Sequence, residues 1–423
     1  MTAAEFRDAS VPAARGLTRE EARVAARALN RRRLIAFLLV APLLAFVIFA
    51  FFAPVATMLH RSVHNPTVVE LIPDTLELLQ GWSGEGTPGE AVLASMAVDL
   101  KRLAEERTSG KLAEELNRGL PGTSSVVKST ARKIRRADDA ELQANGAALL
   151  LAAHDKWAEP VLWTTLREVG RSYSERNFLT ALDLEKDPEG GIRQRESARI
   201  YIQLYGKTLK IAVIITVLTL LLGYPLAYVI SGMSARVGGI MLIFVLLPFW
   251  TSLLVRTTSW IALLQTNGVV NSFLMGVGLT GEPFEMMYTE FATIVAMTHI
   301  LLPFMVLPLY SVMRGIDPSY MRAALSLGSG PIAAFIRVYF PMTLPGLSAG
   351  ALLVFIISVG YYITPALVGG TDGQMISNII AFHMQQSNNW ELAAALGTLL
   401  LFLIIVLYWV YDRLVGAKNI KLG

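Results

Sequence analysis

Long apolar runs separated by polar intervals set the plan of this chain. Six of them, roughly Leu34–Leu59, Leu209–Ile230, Gly239–Leu263, Phe291–Met313, Gly346–Leu367 and Ala393–Val415, are long enough to cross a bilayer. A hydrocarbon core of ~30 Å needs about 20 residues of helix. The first run is too long for a signal-peptide core and no A-x-A site follows it, so it is expected to stay as a span. The pattern predicts an all-α membrane protein with six transmembrane helices.

Two polar stretches carry structure of their own. Residues 18–33 pattern as an amphipathic helix, with Thr18 and Glu21 spaced as a capping box. Its arginines suit either a solvated lead into the first span or an anionic membrane surface. Residues 60–205 form an insertion large enough for a small domain. Leu93, Met96, Leu100 and Leu103 recur at helical spacing, and a second helical run covers Asp138 to His154. TSGK (108–111) and GLPGT (119–123) interrupt the pattern, and Trp157, Trp163 and Tyr173 are available for a core. The insertion therefore reads as mainly helical. The expected division is 1–33 N-terminal segment, 34–59 first span, 60–205 insertion, 206–415 core of five spans, and 416–423 tail.

Composition agrees with the spans: of 423 residues, 53% are hydrophobic and 17% charged. The net charge of +4 matters less than where the charges sit. Residues 1–33 hold eight arginines, Arg236 follows the second span, Arg314, Arg322 and Arg337 follow the fourth, and Arg413, Lys418 and Lys421 end the chain. The intervals 264–290 and 368–392 hold no Lys or Arg, only Glu282, Glu285, Glu290, Asp372 and Glu391. By the positive-inside rule both termini and the interval 314–345 are expected in the cytoplasm, and the insertion outside it. The chain has no cysteine, which excludes disulfides and thiolate chemistry.

No catalytic or metal constellation is legible. Of five histidines only His299 falls within an expected span. Gly206-Lys207-Thr208 imitates the end of a phosphate loop, but Tyr201 stands where the motif needs glycine. Asp183, Glu185 and Asp187 alternate like a calcium loop, but Pro188 and Gln194 occupy the required glycine and glutamate. No carboxylate lies deep in a span, which argues against coupling to an ion gradient. Pro225, Pro248, Pro303, Pro308 and Pro365 interrupt the apolar runs and suit a pathway lined by freed carbonyls.

The polar interval 314–345 supplies the missing energy source. Arg322-Ala323-Ala324, three residues, Gly328, nine residues and then Val338-Tyr339-Phe340-Pro341 resembles the EAA loop of ABC importer permeases. Small Ala323 and Ala324 permit close approach, Gly328 permits a turn, and Pro341 is expected to end the element before the next span. Arg322 stands where the family has glutamate. Gly223-Tyr224-Pro225, Pro248-Phe249-Trp250-Thr251 with Arg256, Leu301-Leu302-Pro303-Phe304 and Gly369-Gly370 extend the resemblance to the spermidine/putrescine-type permeases.

That resemblance covers about 200–423 plus the first span. It implies a type I ABC importer permease fold in a bacterial inner membrane. It implies a second permease subunit, a related non-identical chain. A partner ATPase dimer would hold ATP and Mg, and an extracytoplasmic solute-binding protein would deliver cargo. No catalytic residue, cofactor, metal or nucleic acid is expected on this chain. Arg322, Ala323, Ala324, Gly328 and Pro341 would couple to the ATPase. Tyr224, Pro248, Phe249, Trp250, Thr251, Arg256, His299, Tyr361 and Tyr362 would form the gate and pathway. A polyamine is the first expectation for cargo. Amino-acid-like or organic-anion cargo suits Arg256 and the absence of acid in YYITPALVGG. A non-transporting sensor with a ligand-binding insertion is the alternative from another class.

Overall fold

The computed structural model of the protein describes residues 19–186, 191–195 and 199–415. The Thr18 cap, Asp187, Pro188 and the tail 416–423 lie outside the described residues. Helix α1 covers Arg19–Val63, past the expected limit at Leu59, so His60 falls in its last turn. One compact unit ends at Met58 and a second begins at Leu59.

The second unit opens with the insertion. Its helices are α2 (Thr67–Leu71), α3 (Pro73–Gln80), α4 (Glu90–Glu105), α5 (Ser109–Gly119), α6 (Thr123–Ile134), α7 (Asp139–Ala153), α8 (Pro160–Val169) and α9 (Arg176–Ala181). A short antiparallel hairpin follows, β1 (Leu184–Lys186) with β2 (Ile192–Gln194), pairing Glu185 with Arg193. Leu93, Met96, Leu100 and Leu103 all face inward from α4, as their spacing predicts. Both expected interruptions mark helix breaks: α4 ends at Glu105, Arg107 takes φ +59° and α5 starts within TSGK at Ser109, and Gly122 of GLPGT takes φ +89° before α6.

Trp157 and Trp163 fill the centre of this core, both fully buried. Each indole N–H has a partner, Trp157 donating to Thr130 Oγ1 (2.9 Å) and Trp163 to the Trp157 carbonyl (2.8 Å). Tyr173 does not join them. It is exposed and packs on the His64 ring at the domain's edge. One buried carboxylate, Asp99, is matched by Thr75 Oγ1 (2.7 Å) and Arg102 (2.9 Å), as a desolvated charge requires.

The remaining helices are α10 (Tyr201–Gly232), α11 (Ala235–Leu246), α12 (Leu253–Leu264), α13 (Val269–Gly276), α14 (Glu290–Gly315), α15 (Ser319–Ser326), α16 (Pro331–Ala334), α17 (Phe340–Gly360), α18 (Ile363–Val368), α19 (Ile376–Gln385) and α20 (Trp390–Val415). Asp183 caps α10 from outside, its carboxylate accepting the Tyr201 and Ile202 N–H groups at 3.2 and 2.8 Å. The residue that imitates a calcium ligand is thus a helix cap.

Helix α14 is central: 61% of its apolar window is buried, against 28% for α10 and for α20. Met297, Leu301, Met305 and Leu309 of α14 meet Ile211 and Ile215 of α10 and Val354 of α17. Small residues set the spacing. A side chain at Gly346 would meet the Pro308 carbonyl at 2.8 Å, and one at Gly350 the Met305 backbone at 3.1 Å. In lipid, where burial of apolar surface does not favour one helix over another, such close approach drives association.

Among the described residues, five helical segments are long and apolar enough to span a membrane, and a bent pair makes up a sixth. The bent pair is the expected span Gly239–Leu263. Helix α11 runs into a 3₁₀ turn, Leu247–Trp250, and the chain restarts at α12, with 94° between the halves. Pro248 cannot continue the α-helical ladder, and Ser252 caps the new helix by accepting from Val255 N (3.2 Å). The expected span Gly346–Leu367 is displaced. The helical segment runs Pro331–Gly360, through a π turn at Phe335–Tyr339, and stops at Tyr361. Pro341 therefore does not end the polar element. It lies in the first turn of α17, directly after the π turn, where it cannot donate back to the α pattern.

The Trp157 pairing gives a test of the insertion core. Thr130→Val keeps the side-chain shape but leaves a buried indole N–H unmatched, and should cost about 1–3 kcal/mol. Denaturant unfolding of the full chain followed by tryptophan fluorescence should show the lower midpoint.

Candidate functional site

The interval after α14 folds as a short exposed lever. Arg314 reaches back and donates to the Ser231 and Met233 carbonyls, both at 2.8 Å, closing the open end of α10. Asp317 starts the lever by accepting from Ser319 N (2.7 Å). That bond from Ser319, with Arg322 nearby, holds the Asp317 carboxyl below its usual range. On α15, Ala324 is buried while Arg322 and Ala323 face outward. Gly328 then adopts φ +88° and donates to the Leu325 carbonyl (3.0 Å), the left-handed turn that glycine allows. Leu327 is 88% exposed and Ile332 77% exposed beside it. Arg322 forms no ion pair among the described residues.

An aromatic cluster ties this lever to α10. The π turn presents Phe335 and Tyr339, stacked at 5.6 Å. Tyr228 meets both edge-on at 5.6 and 5.4 Å, and Tyr224 packs on Phe335 and Phe340 at 6.3 and 5.8 Å. The Tyr224 hydroxyl lies 3.1 Å from Thr343 Oγ1. Tyr224 thus sits with the lever and not with the other expected pathway residues. Tyr228, Phe335 and Tyr339 join it without a sequence signal, because a π turn shifts the facing residues off the 3.6 period.

The other expected pathway residues collect around the break in α11–α12. Phe249 meets Phe304 of α14 edge-on at 5.0 Å, and the Arg256 guanidinium lies 5.9 Å from the Phe249 ring. Arg256 is within electrostatic range of His299 and Tyr361, and its Nε is buried without a partner. His299 Nδ1 accepts from Trp260 Nε1 at 3.3 Å. Trp250 is 75% exposed and Thr251 bonds only the Pro248 carbonyl, at 2.8 Å. The arrangement is a cationic, aromatic-walled break with no carboxylate on α11, α12, α17 or α18.

Tyr361 and Tyr362 mark a second break. The interruption frees the Tyr361 carbonyl, which accepts from Ser377 Oγ at 2.7 Å; the Tyr362 carbonyl accepts from Ala366 N (3.0 Å) and from Asn378 Nδ2 (2.7 Å). The loop between α18 and α19 is sewn inward. Thr208 Oγ1 accepts from Ile376 N (2.8 Å), Thr293 Oγ1 donates to the Gly373 carbonyl (3.3 Å), and Lys207 pairs with Asp372 (3.5 Å). A side chain at Gly369 would strike Thr293 Oγ1 at 2.4 Å. The false phosphate loop Gly206-Lys207-Thr208 is therefore an anchor for this segment. Asn378, Ser377 and Thr293 carry no motif, since single polar residues near span ends are ordinary.

These breaks, freed carbonyls and close-packed helices define a multi-pass membrane permease. Residues 211–418 match the family described as binding-protein-dependent transport system inner membrane component. The spermidine/putrescine transport system permease protein PotB of Escherichia coli is 34% identical over 222 residues, covering 52% of this chain and 81% of its own. PotB of Haemophilus influenzae is 34% identical over 222 residues, 52% of this chain and 78% of its own. The inner membrane ABC transporter permease protein YdcU of Escherichia coli is 32% identical over 228 residues, 50% and 71%. A solved bacterial ABC transporter involved in the import of the acidic polysaccharide alginate aligns over 53% of this chain and 81% of its own, with 18% identity and a TM-score of 0.44. The chain belongs to the binding-protein-dependent transport system inner membrane component family, and it is an ABC importer permease. The matched residues leave the insertion outside.

Asn378→Leu tests the second break. It removes the acceptor for the buried Met375 N (3.0 Å) and one of the two donors to the Tyr362 carbonyl, which keeps Ala366 N, and the unmatched Met375 N should cost about 1–3 kcal/mol. A lower thermal midpoint of the detergent-purified chain is the expected result.

Proposed function

We propose that this permease carries a polyamine such as spermidine or putrescine into the cell, driven by a separate ATPase dimer. The observation that carries the coupling is the lever itself. A buried Ala324, a left-handed Gly328 and an apolar tip of Leu327 and Ile332 stand on a polar interval between two spans. An exposed apolar tip of this kind suits insertion into a partner's cleft. The interval's arginines support a cytoplasmic position, with both termini on that side and the insertion outside. ATP and Mg belong to the partner. A second, related permease subunit and an extracytoplasmic binding protein complete the assembly.

In this reading closure of the ATPase dimer pushes the 317–341 element. The π turn and its aromatic cluster pass that movement to α10, and the spans switch access across the membrane. This is a two-state device biased from one side. Selection of cargo rests largely with the binding protein, because the breaks offer aromatic faces and no carboxylate for a polycation. Polyamine cargo is supported by the likeness to the spermidine/putrescine permeases. Organic-anion or amino-acid-like cargo is favoured by Arg256 alone.

Uptake by the reconstituted complex separates these readings. Labelled spermidine should accumulate only with ATP, and a carboxylate solute accumulating in its place would turn the cargo assignment over. Ala324→Asp or Gly328→Asp should reduce uptake by about tenfold or more, with the chain still inserted, as loss of a central contact does. Full uptake by both variants would sink the coupling role of this interval.

A further inference from the structure

A cavity of about 410 Å³ lies where the insertion meets the permease half, and it falls in the size range of small-ligand sites. Glu115, Arg118 and Arg176 wall it from the insertion, and Tyr201, Asn389 and Glu391 from the permease half. Most charges around it are spent. Arg118 pairs with Glu115 and lies 3.8 Å from Glu391, Lys186 pairs with Glu175 (2.5 Å), and Arg193 with Glu185 (2.9 Å). Arg118 also donates to the Asn388 carbonyl at 3.0 Å.

Three guanidiniums are not spent. Arg171, Arg176 and Arg195 line the cavity, and none has a hydrogen bond or ion pair from its side chain among the described residues; Arg171 is exposed, whereas Arg176 and Arg195 are half-buried. Arg176 is largely desolvated, and it faces Arg195 and Arg118 as like charges. Glu115 and Glu168 attract it without reaching bonding distance. Glu115 itself is turned toward Arg118 and Asn65, the latter donating at 3.1 Å. Burial holds the Glu115 carboxyl above its usual range, and Arg118 and Asn65 engage it from one side. A desolvated guanidinium that no carboxylate reaches at bonding distance carries an unmet cost, which a bound anion removes. Planar guanidinium forks match a carboxylate or phosphate in two-point bonds.

We infer that this cavity binds a small oxyanion, a carboxylate or a phosphate, held by Arg176 and Arg195. Its occupant clasps the insertion to the head of α20, because the walls come from both. Nothing in the transport reading requires this site, and the residues matched by the family leave Arg176 and Arg195 outside.

The test uses the full chain in nanodiscs of zwitterionic lipid at constant ionic strength. Succinate, inorganic phosphate and spermidine are titrated separately, with thermal unfolding and calorimetric binding as readouts. Succinate or phosphate should raise the midpoint saturably, and which of them does so names the oxyanion. Arg176→Met should weaken that response by about tenfold or more, with Arg176→Lys between it and the parent. Without anion, Arg176→Met should melt no lower than the parent, because it removes the desolvation of a buried charge and breaks no hydrogen bond or ion pair. Arg195→Met gives the same reading should the first variant fail to fold. Absence of a saturable anion effect, a full effect in Arg176→Met, or stabilisation by spermidine in place of the anions overturns the site.

Discussion

Everything in the permease half depends on satisfying backbone groups where water cannot. A break in a helix within lipid frees N–H and carbonyl groups whose unmet cost runs to several kcal/mol each. This chain breaks two of its spans and meets the cost with single side chains. Ser377 takes the carbonyl of Tyr361, Thr208 takes the Ile376 amide, and Thr293 takes the Gly373 carbonyl. The donors and acceptors sit on α10, α14 and α19, so the breaks hold only while those helices stay packed. Gly346 and Gly350 permit that packing, and the same contacts place Phe304 against Phe249.

The lever inherits its stiffness from this arrangement. Arg314 seals the end of α10 while the π turn engages Tyr224 and Tyr228 of the same helix. The interval 314–345 is thus bound to α10 at two points, and its apolar tip remains free. Arg322 stands outside the ion-pair network among the described residues and is exposed.

The insertion is held differently. Its core is an ordinary soluble one, built on α4, α7 and two tryptophans. Its joint with the permease half is mixed: Phe178 and Ala181 of α9 share an apolar cluster with Leu392 and Leu396 of α20, while Arg118 meets Glu391 and the Asn388 carbonyl and Arg61 lies over the Trp390 ring at 5.9 Å. Within the permease half the Tyr201 hydroxyl lies 3.1 Å from His383 Nε2, and burial, with Arg118 nearby, holds that imidazole below its usual range.

The spans, the α4 stripe, the turn at Gly328 and the position of the lever were legible along the chain. Each depends on local periodicity or on one residue's conformational range, and both are properties of short segments. The breaks were legible only as prolines. Pro248 does mark one, but Pro341 does not, because a π turn absorbs it. The Tyr361 break has its proline too, Pro365, which has no N–H for the Tyr361 carbonyl four residues back and leaves it to Ser377. By itself the sequence determined how many apolar segments there are and where the polar lever lies, since transfer to lipid is additive over a segment. Which helices break, which polar residues repair them and which arginines are left facing a cavity were decided only by the tertiary structure, because a hydrogen bond or a repulsion between distant residues exists only once packing brings them together.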